Sequence, residues 1–314
     1  MLSAFLSLRF WLLAAGYLTA TLVLLLVALY VLQRKLIYYP TPLSGDAFNQ
    51  RVAAEFTELS HLGIRGAVLA PFDALVLEPE DAPSIRATAI YFHGNAGLGL
   101  DRTFLAQVFT RRGIRLILAE YPGYGRRPGT PSQDSLVVDA TRLFLSVKEA
   151  YPESPLLLVG ESLGTGVALQ VAGAPVHGRS PLKRLILLTP FLSLSETAGR
   201  HYPFIPAVRS LVKDSFDSAR ALTYYRGPVS ILVAGADEVL GADQGRELAR
   251  IARAHSDTTY LEIPATGHNG WSQTIVSTQW DELLGYSEEN CGCTIPAAPS
   301  ALAPPSPNEP ALVP

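Results

Sequence analysis

Two hydrophobic patterns divide the chain. From Phe10 to Leu32 no residue carries a charge, and Leu, Ala and Val dominate without a polar stripe. As a helix this run is roughly 35 Å long, enough for a hydrocarbon core of about 30 Å. Beyond Leu36 the pattern breaks into short apolar runs separated by amphipathic stretches. Thr88–Phe92, Arg115–Ala119, Leu156–Val159, Leu185–Leu188, Val229–Val233 and Thr259–Ile263 are short, nearly continuous in hydrophobicity and rich in Leu, Ile and Val. Strands covered on both faces in a parallel sheet have this composition. Leu100–Arg112, Ser132–Ala150 and Asp243–Ala254 carry the period of helices with one apolar face. Alternation of this kind predicts right-handed βαβ units and an α/β fold whose mostly parallel sheet is flanked by helices. The stretch Glu55–Leu77 is expected to add one or two antiparallel strands at the sheet edge.

The flanks of the first run agree with a membrane-spanning helix. Arg9 precedes it, Gln33, Arg34 and Lys35 close it, and Trp11, Tyr30, Tyr38 and Tyr39 stand near its ends, where aromatic side chains suit the headgroup belts. A cleaved signal peptide is the rival, but the run exceeds an h-region of about 7–15 residues, and no small-x-small cleavage site follows it. The expected organisation is an anchor over residues 1–35 with a span of about 10–32, one domain over 36–286, and a disordered Pro/Ala-rich tail over 287–314. Positive charge is nearly balanced across the span, so the positive-inside rule assigns no side to the domain. Arginine far outnumbers lysine, a codon bias that points to a GC-rich genome and hence to a bacterial inner membrane.

Composition narrows the function classes. Hydrophobic residues make up 48% and charged residues 17%, so a large core is available beyond the anchor. A net charge of −3 without a basic cluster argues against nucleic acid as a partner. Cys291 and Cys293 stand together in Cys-Gly-Cys outside the domain, so no disulfide framework supports it. No C-x-x-C or H-E-x-x-H spacing occurs, and no metal or cofactor is expected.

The apolar run Leu156–Val159 leads directly into Gly160-Glu161-Ser162-Leu163-Gly164, followed by a helix-like segment. In that context G-x-S-x-G is a tight strand-to-helix turn that lifts a serine hydroxyl above a helix N-terminus. The glycines are needed where side chains on either side of the turn would collide. Catalytic sites of open α/β sheets lie at the C-terminal strand ends, so partners for Ser162 are sought there. Val229–Val233 runs into Asp237, with Glu238 and Asp243 as alternative acids. Thr259–Ile263 runs into Gly267-His268-Asn269. The order Ser162, Asp237, His268 is that of a hydrolase triad with a nucleophile, an orienting acid and a general base. Oxyanion donors are expected from the amide of Leu163 and from the Gly-rich loop after Phe92, through Asn95 or Ala96. His93 precedes the serine in the chain and is read as a hydrogen-bonding residue that holds this loop.

His93-Gly94-Asn95-Ala96-Gly97, Glu120-Tyr121-Pro122-Gly123-Tyr124-Gly125, the serine turn, Thr189-Pro190-Phe191-Leu192-Ser193-Leu194, Asp214-Ser215-Phe216-Asp217 and Gly267-His268-Asn269 together resemble membrane-anchored α/β hydrolases. The group includes the α/β-hydrolase-domain proteins 12, 13 and 17 and bacterial relatives, near the serine aminopeptidase-like hydrolases. The resemblance covers about residues 36–286 and the anchor. It implies an α/β-hydrolase fold and esterase, thioesterase or lysophospholipase activity on a small-molecule or lipid acyl ester, with the bilayer as partner of the N-terminal helix. One departure is Leu240-Gly241, where relatives commonly carry valine or isoleucine followed by proline. The segment of about 191–228 is read as a short cap stiffened by His201-Tyr202-Pro203-Phe204-Ile205-Pro206. A peptidase of the same fold and a non-catalytic membrane scaffold are the competing classes. Because every catalytic motif lies beyond residue 90, a chain starting near Leu36 is expected to be a soluble, active esterase.

Overall fold

A computed structural model describes residues 2–80, 85–174, 182–205 and 207–286, with side chains from residue 9 onward. Pro206, Cys291, Cys293 and the expected tail lie outside the described residues.

Burial explains the central strands. Every residue of β3 (Ala87–Phe92), β4 (Ile114–Leu118), β5 (Leu156–Glu161) and β7 (Val229–Ala234) is buried. An apolar run without alternation is what such two-sided burial requires. With β1 (Ile64–Leu69), β2 (Ala74–Pro79), β6 (Arg184–Leu188) and β8 (Thr258–Ile263) they form an eight-stranded sheet in the order β8-β7-β6-β5-β3-β4-β2-β1. Pairings from β8 across to β4 are parallel. Strand β2 runs antiparallel to both β4 and β1, so antiparallel pairing is confined to one edge.

That edge carries the antiparallel strands expected of Glu55–Leu77. Glu55–Leu77 holds both β1 and part of β2, but its first residues end a helix, α2 (Gly45–Ser60). The Ser44 hydroxyl caps α2 by accepting from the Ala47 amide at 3.2 Å, and Phe48, Val52 and Leu59 form its buried face. The helix expected over Leu100–Arg112 is also redrawn, as a 3₁₀ segment (Gly99–Leu105) running into the short α3 (Ala106–Thr110). Helices α4 (Gln133–Ala150) and α9 (Ala242–Arg253) fall within a residue of the predicted spans, and α5 (Leu163–Ala172) follows the serine turn. Between β6 and β7 lie α6 (Leu194–His201), α7 (Val208–Leu211) and α8 (Ser218–Leu222), while α10 (Trp271–Thr274) and α11 (Ser277–Leu284) close the domain.

Helix α1 (Leu2–Ile37) outlasts the predicted span of 10–32 at its C-terminal end. Arg34 and Lys35 end the apolar run but are good helix formers, so they do not end the helix. Among the described residues α1 is the one helix long and apolar enough to cross a membrane, over Arg9–Ile37. Its far end does not stand apart from the domain. Arg34 donates from Nε and Nη2 to the Asp214 carboxylate at 2.9 and 3.0 Å, and Tyr38 Oη donates to the same group at 3.1 Å. Gln33 donates to the Leu211 carbonyl and accepts from the Lys213 amide. Immediately after the helix, Tyr39 and Pro40 pair in parallel with Ala96 and Gly97.

Candidate functional site

The serine turn is fixed by backbone contact. Ser162 adopts φ 51° and ψ −117° at the junction of β5 and α5, a region that costs a non-glycine residue about 1–3 kcal/mol unless its surroundings enforce it. The surroundings do so. The Ser162 amide donates to the Leu188 carbonyl on β6 at 2.9 Å, and the Ser162 carbonyl accepts from the amide and hydroxyl of Thr165. A Cβ on Gly160 would press on the Gly164 carbonyl, and one on Gly164 would collide with the Phe92 carbonyl of β3. Glycine at both positions lets strand, turn and helix close on one another.

The structure brings the predicted side chains together from three strand ends. His268 Nε2 lies 2.8 Å from Ser162 Oγ, and His268 Nδ1 lies 2.7 Å from Asp237 Oδ2. A carboxylate only accepts, so Nδ1 carries the hydrogen facing Asp237, and Nε2 is left to accept from the serine hydroxyl. Asp237 follows β7, and His268 sits on the loop after β8. Both side chains are nearly sealed from solvent. Burial alone would raise the Asp237 carboxyl; the hydrogen bond and charge of His268 and the amides of Leu240 and Val239 outweigh it and hold the carboxyl below its ordinary value. Those two amides donate to Asp237 Oδ1 at 2.8 and 2.9 Å.

The alternative acids have other partners. Glu238 accepts from the backbone amide of His268 at 3.1 Å, which positions the histidine loop but leaves the imidazole to Asp237. Asp243 pairs with Arg200 at the surface. The departure at Leu240-Gly241 has a backbone cause: Gly241 takes φ 86° before α9, which proline, locked near −65°, does not adopt.

The amides of Asn95 and Leu163 have no protein acceptor among the described residues. Leu163 is the first residue of α5, where helical amides lack internal partners. Gly94 brings the loop against the nucleophile, since even a Cβ there would stand 3.6 Å from Ser162 Cβ. His93 is fully buried and bonded on both ring nitrogens, Nδ1 to the Gly94 carbonyl at 2.9 Å and Nε2 to Glu120 at 3.0 Å. Glu120 also accepts from the amides of Gly99 and Tyr121, so one buried carboxylate ties both ends of the loop to the strand after it.

Ser162 opens onto a cavity of about 580 Å³. Two parts of its wall have no signal in the motifs. Arg102 donates from Nε and Nη2 to Glu161 at 2.9 Å each, and Tyr91 Oη donates to the same carboxylate at 2.8 Å. Burial would lower the Arg102 guanidinium, yet its bonds to Glu161 hold it above its ordinary value, and both side chains line the cavity. A spacing search cannot find it, because 59 residues separate the partners. The second part is α1, which contributes Leu29, Tyr30, Gln33, Leu36 and Ile37 opposite the cap. A chain starting near Leu36 would keep Ser162, Asp237 and His268 but lack Leu29, Tyr30 and Gln33 of the cavity wall.

Comparison with known proteins agrees with this architecture. The profile of the serine aminopeptidase S33 family matches residues 83–219, which include Asn95 and Ser162 but end before Asp237 and His268. An uncharacterised protein of Mycobacterium tuberculosis is 33% identical over 179 residues, covering 56% of this chain and 61% of that protein. The mouse lysophosphatidylserine lipase ABHD12 is 32% identical over 233 residues, covering 67% of this chain and 58% of its own. The chain thus spans about three fifths of the length of these relatives. Among solved structures, the esterase PF2001 of Pyrococcus furiosus superposes with a TM-score of 0.56 at 14% identity, covering 79% of this chain and 96% of that one. TT1662 of Thermus thermophilus gives 0.54 at 17% identity, covering 74% and 99%. At these identities the likeness is one of fold.

Proposed function

We propose, from the premise that the chain belongs to the α/β-hydrolase family, that it is a membrane-anchored serine hydrolase of carboxylic esters or thioesters. The observation that carries this reading is the unbroken relay from Ser162 Oγ to His268 Nε2 and from His268 Nδ1 to Asp237, at 2.8 and 2.7 Å. In the first half-reaction Ser162 Oγ attacks the acyl carbon and His268 Nε2 takes its proton. The charge that develops on the carbonyl oxygen is received by the amides of Leu163 and Asn95, each such donor being worth roughly 3–4 kcal/mol in the transition state. His268 then returns the proton to the departing alcohol or thiol, leaving Ser162 acylated. In the second half-reaction His268 deprotonates water, which attacks the acyl carbon and releases the acid and the serine. Asp237 stays ionised throughout, holding the imidazole in one tautomer and stabilising its cation.

The cavity favours an acyl substrate over a peptide. An aminopeptidase needs a free carboxylate to receive the substrate amine. Among the residues lining the cavity Glu161 is the one acid, and its oxygens are occupied by Arg102 and Tyr91. Esterase and lipase activities of the relatives named above fit the same preference. Helix α1 is read as the single-pass anchor, by its length, its apolar surface and its exposed position. The test is labelling of the full-length chain by a fluorophosphonate together with turnover of p-nitrophenyl esters. Both are expected in the wild type and absent from Ser162→Ala. Labelling that persists in the variant, or wild type inert to both reagents, would remove the reading.

A further inference from the structure

The cavity wall supplied by α1 has no counterpart in the chemistry described so far. In the second half of this helix Leu26, Leu29, Gln33 and Ile37 are the half-buried positions, spaced three or four residues apart, while their neighbours are exposed. Such spacing marks one face of a helix laid against a partner. Leu29, Gln33 and Ile37 line the same cavity as Ser162 and His268. Ile205, Val208, Leu211 and Val212 of the cap, all apolar, line the same cavity, and Leu211 accepts from Gln33 through its carbonyl. The face is held in place by polar contacts at its end: Arg34 and Tyr38 on the buried Asp214, Gln33 on the cap backbone, and the Lys213 ammonium 4.0 Å from the centre of the Tyr30 ring. The helix terminus is also bound to the loop of the proposed oxyanion donor. Asn95 Nδ2 donates to the Ile37 carbonyl at 3.0 Å, and the Tyr39 amide donates to the Asn95 carbonyl at 3.0 Å.

Resting on the serine-hydrolase reading above, we propose that the end of α1 is a substrate-binding element, forming with the cap an acyl channel that runs from Ser162 along the helix toward its lipid-facing surface. The occupant is one long acyl chain. The channel walls are apolar on both sides, and the helix surface continues into exposed Leu22, Val23 and Leu25, which suit hydrocarbon. A chain leaving the bilayer along α1 therefore exchanges one apolar contact for another and need not cross water, while the ester group arrives beside Asn95 and Ser162. Anchoring and substrate selection are thereby joined in one helix. The channel selects long single chains because each methylene that reaches the Leu29 region adds buried contact, whereas a short ester occupies only the floor near Arg102 and Phe191.

The full-length protein in phosphatidylcholine nanodiscs is treated with a hexadecyl fluorophosphonate that carries a diazirine at its chain terminus, then irradiated and digested. The expected product is Ser162 phosphonylated and joined through the alkyl chain to residues 29–37. Phosphonylated Ser162 with cross-links to neither α1 nor Val208–Val212 of the cap would overturn the channel while leaving the hydrolase reading intact; cross-links to either wall support it, and Leu29→Trp tests the helix side. Unmodified Ser162 would overturn the hydrolase reading itself, and with it the channel. A second measurement uses Leu29→Trp, which fills the channel from the helix side. The ratio of kcat/KM for a dodecanoyl to a butanoyl p-nitrophenyl ester is expected to fall about tenfold, the binding lost when roughly two methylenes are shut out. An unchanged ratio would overturn the channel.

Discussion

The serine turn and the end of α1 meet in one cavity but are held by opposite means. Around Ser162 the backbone is confined mainly by carbonyls and amides from β3, β6 and α5, with the Thr165 hydroxyl as the one side-chain donor to its carbonyl. At the end of α1 almost all the fastening is by side chains: Arg34, Tyr38 and Gln33 reach segments some 180 residues away. A backbone-determined turn has a single solution and gives a rigid nucleophile. A seam made of one part-exposed arginine on a buried carboxylate and of half-buried side chains along a helix can loosen without unfolding the domain. The proposed hydrolysis needs the first, and the proposed entry of an acyl chain along α1 benefits from the second.

The comparison breaks most visibly at the nucleophile. Ser162→Ala is expected to lower kcat by about 10⁴-fold or more, with little change in Tm, because it removes a hydroxyl from a turn held by other groups. Steady-state turnover and thermal unfolding of the same preparation check this. A large loss of Tm would mean that the hydroxyl helps to build the turn.

Asp237→Asn comes next, with turnover expected to drop by about 10³ to 10⁴, since asparagine keeps the shape but donates to His268 and so favours the wrong tautomer. Glu238→Gln and Asp243→Asn should cost far less, one carboxylate serving a backbone amide and the other a surface arginine. The Asp237 carboxyl is held below its ordinary value in the fold, mainly against the effect of burial and by His268. Its contribution to stability is therefore complete above an unfolded value of about 3.9 and is lost as pH falls through the lower folded value. Urea titrations of wild type and Asp237→Asn should show a stability difference at pH 6 that narrows below about pH 4. A gap that widens on acidification would contradict the direction of the shift.

The same contrast explains what could be read from the sequence. Two-sided burial writes itself as unbroken apolar runs, so β3 to β7 were legible to within one or two residues. Gly160, Ser162 and Gly164 are neighbours in the chain because a backbone turn is local, and so the strand-to-helix turn that carries Ser162 was legible as well. Asp237 and His268 were found only by way of the strands that precede them. By contrast, Arg34 with Asp214 and Arg102 with Glu161 are ordinary charges in unrelated segments, with no periodicity to join them. The end of the apolar run at Leu32 was a change of solvent, not of backbone conformation, and for that reason the helix, and its share of the cavity, reached further than hydropathy indicated.

Gly164→Ala sharpens the backbone side of the comparison. The added methyl would meet the Phe92 carbonyl on β3, which cannot turn aside as a flexible side chain would. Either β3 and α5 separate or the turn relaxes, and overpacking of this kind costs about 3 kcal/mol. Denaturant unfolding is expected to show that loss. Fluorophosphonate labelling should fall with it, because the same shift moves Ser162 away from His268. Stability near wild type would show that the turn has room the geometry denies.

The smallest effect belongs to the seam. Arg34→Ala removes a guanidinium that is 43% exposed from a carboxylate that is 4% exposed. Water already screens the arginine side, so the pair itself contributes only about 0.5 kcal/mol. The larger part of the loss comes from Asp214, left buried with Tyr38 as its remaining side-chain donor. Burial, then the charge of Asp214, raise the Tyr38 phenol above its ordinary value, so it stays protonated and goes on donating. Arg34→Ala is therefore expected to destabilise by about 1–2 kcal/mol, and Asp214→Asn in the same background should recover part of this by removing the stranded charge. A double-mutant cycle in detergent measures the coupling. Proteolysis near residue 40, where the chain leaves the helix, should accelerate in the single variant before global unfolding, because the seam opens locally while the sheet stays closed. If both variants instead lose stability as heavily as Gly164→Ala, the end of α1 is part of the rigid core, and the two regions do not differ in the way their contacts imply.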